Sequence, residues 1–159
     1  MDRRRFLVSA LAGFAAAHAS EAHAQSEDAV AFVRNFYTRE ITRHSAKGRA
    51  SDSDFMKAFT PATHRIWIAS RDNRNPPPVP LGPITHAFFG PGALPGREVN
   101  LVNVAAAGGD NIAVDLTISG NPRKLMVRLV RDSGAWRFED IDYGNGESFV
   151  SYHRRRAGL

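Results

Sequence analysis

The fold of this chain is decided by the segment Ala135-Trp136-Arg137-Phe138-Glu139-Asp140-Ile141-Asp142-Tyr143. Trp136 and Phe138 alternate with Arg137 and Glu139, which is the period-two pattern of a half-buried strand, and aromatic side chains suit a pleated surface. We therefore predict that this segment is the last strand of a sheet and that the other elements pack around it.

Three segments upstream share the strand pattern. They cover residues 99–106, 111–119 and 124–131, and apolar residues alternate with polar or small ones most regularly between Ile112 and Ser119. Short runs rich in Gly, Asn, Asp or Ser, including Gly120-Asn121-Pro122, separate these segments and favour tight turns. Four strands joined by tight turns predict an antiparallel meander.

Helical signals come before the strands. Apolar residues spaced three or four apart predict a first helix that starts near Ser26 and ends near His44. Residues 51–54 cap a second, brief helix from Phe55 to Phe59, and Thr60 with Pro61 starts a third, which ends near Ser70. Residues 75–83 contain five prolines and predict an extended connector.

The predicted fold class is therefore α+β. Three amino-terminal helices pack on a four-stranded antiparallel sheet, and a Gly-Asn-Gly turn at residues 144–146 leads into a short carboxyl-terminal helix. Residues 25–159 are predicted to form a single domain, and 43% hydrophobic content is ordinary for one.

Residues 1–24 are predicted to be a signal peptide. An arginine-rich start leads into an apolar run that is too short to span a bilayer. Arg3 and Arg4, with Phe6 and Leu7 in phase behind them, resemble the twin-arginine export signal; the alternative is a Sec signal with an arginine-rich start. We expect the twin-arginine translocase as a partner during export, a periplasmic location, and no transmembrane span once the signal is removed.

Charge and cysteine content exclude several functions. The formal net charge is +5, but the arginines are scattered, apart from the signal segment and Arg154 to Arg156, and no nucleic-acid-binding motif accompanies them. We therefore predict no nucleic-acid partner. The chain has no cysteine, which excludes disulfides, thiol catalysis and cysteine-based metal sites.

The end of the chain resembles a known family. The pattern Gly134-x-Trp136-Arg137-Phe138-x-Asp140-Ile141-x-Tyr143, followed by Gly146-x-Ser148-Phe149, resembles domain-of-unknown-function family 3828, within the cone-shaped nuclear transport factor 2-like superfamily. A weaker likeness extends to the first helix. The resemblance implies a small exported bacterial protein with a curved, cone-like sheet. The chain departs from the family at residues 85–88, where acidic residues are usual, and the family supplies no established catalytic residues.

The concave side of such a sheet suggests a pocket. Its candidate lining residues are Phe36, Tyr37, Trp67, Phe88, Trp136, Phe138 and Asp140. An aspartate among aromatic side chains has a raised pKa and can act as a general base, which makes Asp140 the weak catalytic candidate. The alternative is that Asp140 binds loop amides while Asp142 is solvated.

Which face of the sheet carries the Asp140 side chain depends on whether the last strand contains a bulge. Strict alternation places Asp140 on the same side as Trp136 and Phe138. A bulge near Glu139 would instead move Ile141 into the core and turn Asp140 away from it. We expect the regular strand, with its outer half covered by the terminal helix.

Metal and cofactor chemistry has no support in the sequence. The histidines beyond residue 24 are His44, His64, His86 and His153, and none pairs at metal-binding spacing, so we predict surface or capping roles for them. Ser148 lacks the Gly-x-Ser-x-Gly context of a hydrolase nucleophile, and we predict no cofactor and no metal.

The preferred function is a non-enzymatic periplasmic domain that binds a small apolar ligand or an envelope protein. The first alternative is a cofactor-free, cone-type isomerase or hydrolase with Asp140 as its general base. The second is an immunity or inhibitor-type partner that uses the basic carboxyl terminus against an acidic surface.

Overall fold

The computed structural model describes residues 26–77, 84–144 and 146–159. The predicted signal peptide, with Arg3, Arg4, Phe6 and Leu7, lies outside the described residues, as do most of the proline-rich connector and the middle residue of the Gly-Asn-Gly turn. The export prediction therefore stays a prediction.

Four helices occur in the described part of the chain. Helix α1 covers residues 26–45, α2 covers Asp52–Ala58, α3 covers Pro61–Asp72, and α4 covers Phe149–Ala157. Among the described residues, three of them precede the sheet and a short one follows it.

Local capping explains where α2 and α3 begin. The Ser51 hydroxyl accepts a hydrogen bond from the Asp54 amide, and the Asp54 carboxylate accepts one from the Ser51 amide at 2.8 Å. The Thr60 hydroxyl accepts from the Thr63 amide, and Pro61 occupies the first helical position, where no amide hydrogen is needed. The predicted cap at Thr60 is confirmed; Ser51 caps α2, but that helix begins at Asp52 and ends at Ala58, so the predicted bounds of Phe55 and Phe59 are wrong.

The sheet has four antiparallel strands in the order β1-β2-β3-β4. They are β1, Val99–Ala106; β2, Asn111–Ile118; β3, Asn121–Asp132; and β4, Ala135–Asp142. The apolar residues of β2 are buried at every second position, as the alternation predicted. The α+β class and the antiparallel meander are confirmed.

The turn before β3 is shorter than predicted. Only Ser119 and Gly120 lie outside the strands, with φ angles of 51° and 80°, which is the backbone of a two-residue hairpin turn. Asn121 and Pro122, predicted to be part of this turn, begin β3 instead, and Pro122 pairs with Thr117. Proline is tolerated there because it lies next to the first residue of the strand.

The expectation of a regular last strand is wrong. Arg128 pairs with Asp140, whereas the next residue of β3, Leu129, pairs with Phe138, so Glu139 is the extra residue of a β-bulge. The bulge allows Phe138 and Ile141, three positions apart, to be fully buried. A regular strand would have left Ile141 on the face opposite Phe138.

The core lies between the helices and one face of the sheet. Phe36 of α1 packs edge-to-face on Phe138 with ring centroids 4.6 Å apart, and Phe59 stacks on Phe149 of α4 at 4.4 Å. The link between α2 and α3 runs along β4, where the Thr60 amide donates to the Phe138 carbonyl at 3.0 Å. Helices α2, α3 and α4 are thus joined to the strand that the sequence marked as central.

Candidate functional site

The aromatic residues predicted to line a pocket mostly belong to the core. Phe36, Phe88 and Phe138 form one cluster, in which Phe36 lies 4.7 Å from Phe88 and 4.6 Å from Phe138 between ring centroids. Tyr37 is fully buried, and burial raises its pKa. Trp67 of α3 stacks on Phe55 at 4.3 Å. Of these, Phe36 and Phe88 also reach a cavity wall.

Trp136 is the second residue of β4 and keeps part of its surface exposed. Its indole N–H donates to the Asp28 carboxylate at 3.1 Å, and the Arg131 guanidinium lies 4.5 Å above its ring. It lines a cavity of about 200 Å³ together with Ala29, Ile112 and Leu129. Trp136 therefore closes one edge of the core.

Asp140 binds backbone amides. One carboxylate oxygen, Oδ1, accepts from the Ile141 amide at 2.8 Å and from the Val150 amide in the first turn of α4 at 2.9 Å. Asp142 is exposed and accepts from the Gly144 amide at 2.8 Å. Because of the bulge, Asp140 faces α4, and it lines none of the three cavities described in this subsection.

The largest described cavity has a volume of about 470 Å³. It lies where the end of α1 meets α2 and the loop over residues 84–95, and we call it the main cavity. Its described lining residues are His44, Lys47, Gly48, Arg49, Ala50, Phe55, Thr85, His86, Ala87, Phe88, Ala93, Leu94 and Pro95. Aromatic and aliphatic side chains form most of the wall, with a few polar groups among them.

Two histidines of the main cavity contact each other. The rings of His44 and His86 meet edge-to-face with centroids 5.2 Å apart, and His86 stacks on Phe89 at 4.2 Å. His44 is only 4% exposed, so the prediction of a surface or capping role is wrong for His44. His44 forms a hydrogen bond through Nε2 to the Arg97 carbonyl at 3.0 Å, a contact between residues far apart in sequence.

Hydrogen bonding indicates which ring nitrogens carry a hydrogen, and burial keeps the His86 ring neutral. The Arg97 carbonyl can only accept, so Nε2 of His44 carries a hydrogen. The Phe88 amide donates to Nδ1 of His86 at 3.3 Å, which leaves the hydrogen of the neutral ring on Nε2. Burial, reinforced by His44 and Arg43, lowers the pKa of His86 to about 4, so this ring is neutral at neutral pH.

A second cavity, of about 230 Å³, shares Phe88 with the first. Its wall includes Glu40, which is 4% exposed and was not singled out by the sequence. Glu40 pairs with Arg43 at 3.0 Å, and Arg43 lies 3.5 Å from Asp54 of α2. Burial raises the pKa of Glu40 despite the neighbouring Arg43. This cluster joins α1 to α2.

The two remaining histidines lie on the helices. His153 of α4 contacts the Ser70 hydroxyl through Nδ1 at 2.9 Å, and burial lowers its pKa to about 4. His64 packs beside Trp67, with ring centroids 5.6 Å apart. Within residues 26–77, 84–144 and 146–159, no group of three or more His, Asp or Glu side chains is arranged to hold a metal ion.

Comparison of the chain with protein-family models, with curated proteins and with solved structures finds no match. The resemblance to family 3828 therefore stays a hypothesis. Among the described residues, no helix combines the length and the apolar character that crossing a membrane requires.

Proposed function

We propose that this protein is an exported periplasmic domain that binds a small, largely apolar ligand in the main cavity and catalyses no reaction. The observation that carries the proposal is the cavity itself. Its volume of about 470 Å³ falls within the range of roughly 300–1,000 Å³ that is typical of small-molecule sites. Phe55, Phe88 and Leu94 supply apolar surface, while His44 and His86 supply polar groups that can orient a ligand.

A ligand is favoured over an envelope protein because only four large hydrophobic side chains are exposed in the described part of the chain. The large hydrophobic residues exposed in the described part of the chain are Met56, Leu94, Val102 and Leu159. They lie on four different segments, whereas protein-binding surfaces are usually contiguous apolar patches. The cavity instead gathers its apolar side chains into a concave site.

The contacts of Asp140 and of the basic carboxyl terminus favour neither the enzyme nor the immunity-type alternative. The Asp140 carboxylate already accepts hydrogen bonds from two amides and faces α4, which supports a structural role over that of a general base. In the basic carboxyl terminus, Arg155 pairs with Glu147, which leaves it less suited to an acidic partner.

Within this proposal, the domain belongs to the nuclear transport factor 2-like superfamily, and its sheet is the wall of a cone. Export by the twin-arginine route can be tested separately. Replacement of Arg3 and Arg4 together by lysine should retain the precursor in the cytoplasm, because that translocase requires guanidinium groups rather than positive charge alone. Normal export of this double variant would show that the Sec route is used.

Ligand binding can be tested with Nile red, an uncharged dye whose emission increases in apolar sites. Leu94 lines the cavity and is 45% exposed, so Leu94→Gln should fold normally yet weaken dye binding about five-fold or more, through the loss of about 1 kcal/mol of apolar contact. Met56→Gln is the matched control, because Met56 is 55% exposed and lies outside the described wall. Equal dye binding by both variants, or no binding by the parent protein, would refute the proposal.

A further inference from the structure

The main cavity has an unbalanced charge. Lys47 and Arg49 both belong to its described wall, which contains no aspartate or glutamate. The other polar groups of the described wall are the imidazoles of His44 and His86 and the hydroxyl of Thr85. Two cationic side chains therefore share the wall with apolar ones.

The two cations also have no side-chain partner among the residues that the structure describes. Neither Lys47 nor Arg49 forms an ion pair or a side-chain hydrogen bond in the described part of the chain, and both are exposed. Arg43, one turn earlier, is paired with Glu40 at 3.0 Å and lies 3.5 Å from Asp54. Acidic side chains thus balance the charge of Arg43, whereas none in the described ranges pairs with Lys47 or Arg49.

Lys47 has a left-handed backbone conformation, which is unusual for a residue other than glycine. Helix α1 ends with the Gly48 amide donating to the Arg43 carbonyl and the Lys47 amide donating to the His44 carbonyl, both at 2.9 Å. This is the two-bond helix ending whose left-handed residue is usually glycine, yet here that residue is Lys47, with φ of 56°. Lys47 therefore has a left-handed backbone conformation that costs energy for a residue with a side chain, and it also lines the cavity.

The imidazoles add hydrogen-bonding groups without negative charge. Because Nδ1 of His86 accepts the Phe88 amide, the Nε2–H of His86 remains as a donor, and it has no partner in the described residues. A donor of this kind suits an oxygen atom of a ligand. The Nε2–H of His86 and the cations of Lys47 and Arg49 therefore each favour an acceptor or an anion.

We propose that the ligand of the main cavity is a single-chain carboxylate, whose head group pairs with Lys47 and Arg49 and whose apolar body lies against Phe55, Phe88 and Leu94. This inference rests on the proposed function, because it specifies the chemical class of the ligand in the same cavity. A carboxylate matches the guanidinium of Arg49 and the ammonium of Lys47, and no acid in the described wall opposes it.

The test compares three compounds with one chain length and different charges. Decanoate, decanol and decylammonium are each used to displace Nile red from the full mature protein at neutral pH and low ionic strength. We expect decanoate to bind most tightly and decylammonium least tightly, and we expect the preference for decanoate to decrease on addition of salt.

Variants connect the preference to the two side chains. Lys47→Gln combined with Arg49→Gln should weaken decanoate binding about two- to thirty-fold, the range expected for two exposed ion pairs, and weaken decanol binding much less. Lys47→Arg combined with Arg49→Lys should retain the preference. Arg74→Gln combined with Arg154→Gln removes the same charge at exposed positions outside the described cavity walls and should change neither affinity.

The outcomes separate this inference from the proposed function. If Nile red and all three compounds fail to bind, the proposed function fails and this inference fails with it. If the dye binds and decanol displaces it as well as decanoate does, the cavity binds apolar ligands but the inference is overturned. An equal loss of decanoate binding in the Arg74 and Arg154 control would also overturn it, because the effect would then reflect net charge.

Discussion

Replacement of Gly90 by alanine tests how firmly the cavity loop is held against the sheet. A Cβ atom at this position would lie 2.5 Å from Cδ1 and 2.9 Å from Cγ of Tyr143, much closer than carbon atoms approach each other. The Tyr143 ring is 1% exposed and its hydroxyl donates to the Ala87 carbonyl at 2.6 Å, so the ring cannot easily move away. Either the loop or the ring must shift.

The magnitude follows from two separate costs. Overpacking a filled site costs about 1–3 kcal/mol, and holding alanine in the left-handed conformation, with φ of 79° here, costs a further 1–2 kcal/mol or so. Gly92 provides the control, since its φ is 88° but a Cβ atom there would have no neighbour within 4 Å. We therefore expect Gly92→Ala to show only the conformational cost, and Gly90→Ala to be less stable than Gly92→Ala by about 1–3 kcal/mol.

Urea unfolding, monitored by far-ultraviolet circular dichroism, measures this difference in stability. The comparison requires that the free energy of unfolding of both variants has the same dependence on urea concentration. Nile red binding adds a functional measurement, because displacement of the loop should weaken binding in Gly90→Ala and leave it unchanged in Gly92→Ala. Equal destabilisation by the two substitutions would refute the view that Tyr143 fixes the position of the loop.

Three further predictions concern the sheet, α4 and the histidines. Phe138→Ala should lower the free energy of unfolding by about 3–5 kcal/mol, because the Phe138 ring is fully buried. Trp136→Ala should lower it by about 1.5–3 kcal/mol, because the Trp136 ring stays partly exposed. A larger loss at Trp136 than at Phe138 in urea unfolding would contradict this order. Asp140→Ala should lower the free energy of unfolding by about 1–3 kcal/mol, because two backbone amides lose their acceptor, and it should leave Nile red binding unchanged. A change in dye affinity without a change in stability would contradict a purely structural role for Asp140. Folding lowers the pKa values of His86 and His153 to about 4, so as the pH falls the unfolded chain protonates these rings at a higher pH than the folded chain does. The free energy of unfolding should therefore decrease by about 2 kcal/mol per histidine between roughly pH 6.5 and 5. His86→Gln and His153→Gln should each flatten that decrease, and an unchanged slope would show that the rings are not held neutral by folding.

Elements with local signals could be predicted from the sequence. The caps at Ser51 and Thr60 depend on residues three positions apart, and the alternation in β2 depends on neighbouring residues, so the information lies in short segments. These signals were sufficient for the α+β class, the order of the strands and the bounds of most helices.

The site could not be predicted because its contacts join distant segments. His44 is buried because the Arg97 carbonyl, 53 positions later, accepts its hydrogen bond, and no periodicity in the first helix reveals that contact. The bulge at Glu139 similarly depends on what covers each face of β4. The Asp140 carboxylate accepts a hydrogen bond from the Val150 amide of α4, while the Ile141 side chain is buried in the core. Strand alternation alone could not decide between these arrangements.

The bulge in β4 and the main cavity are connected through Tyr143. A regular strand would place Tyr143 on the same side as Arg137 and Glu139, away from the core. One extra residue reverses the faces beyond Glu139, so that Tyr143 is buried, its hydroxyl binds the Ala87 carbonyl, and its ring leaves room only for glycine at position 90. Because Ala87 belongs to the cavity wall, the shape of the proposed ligand site depends on an irregularity in the strand that organises the core.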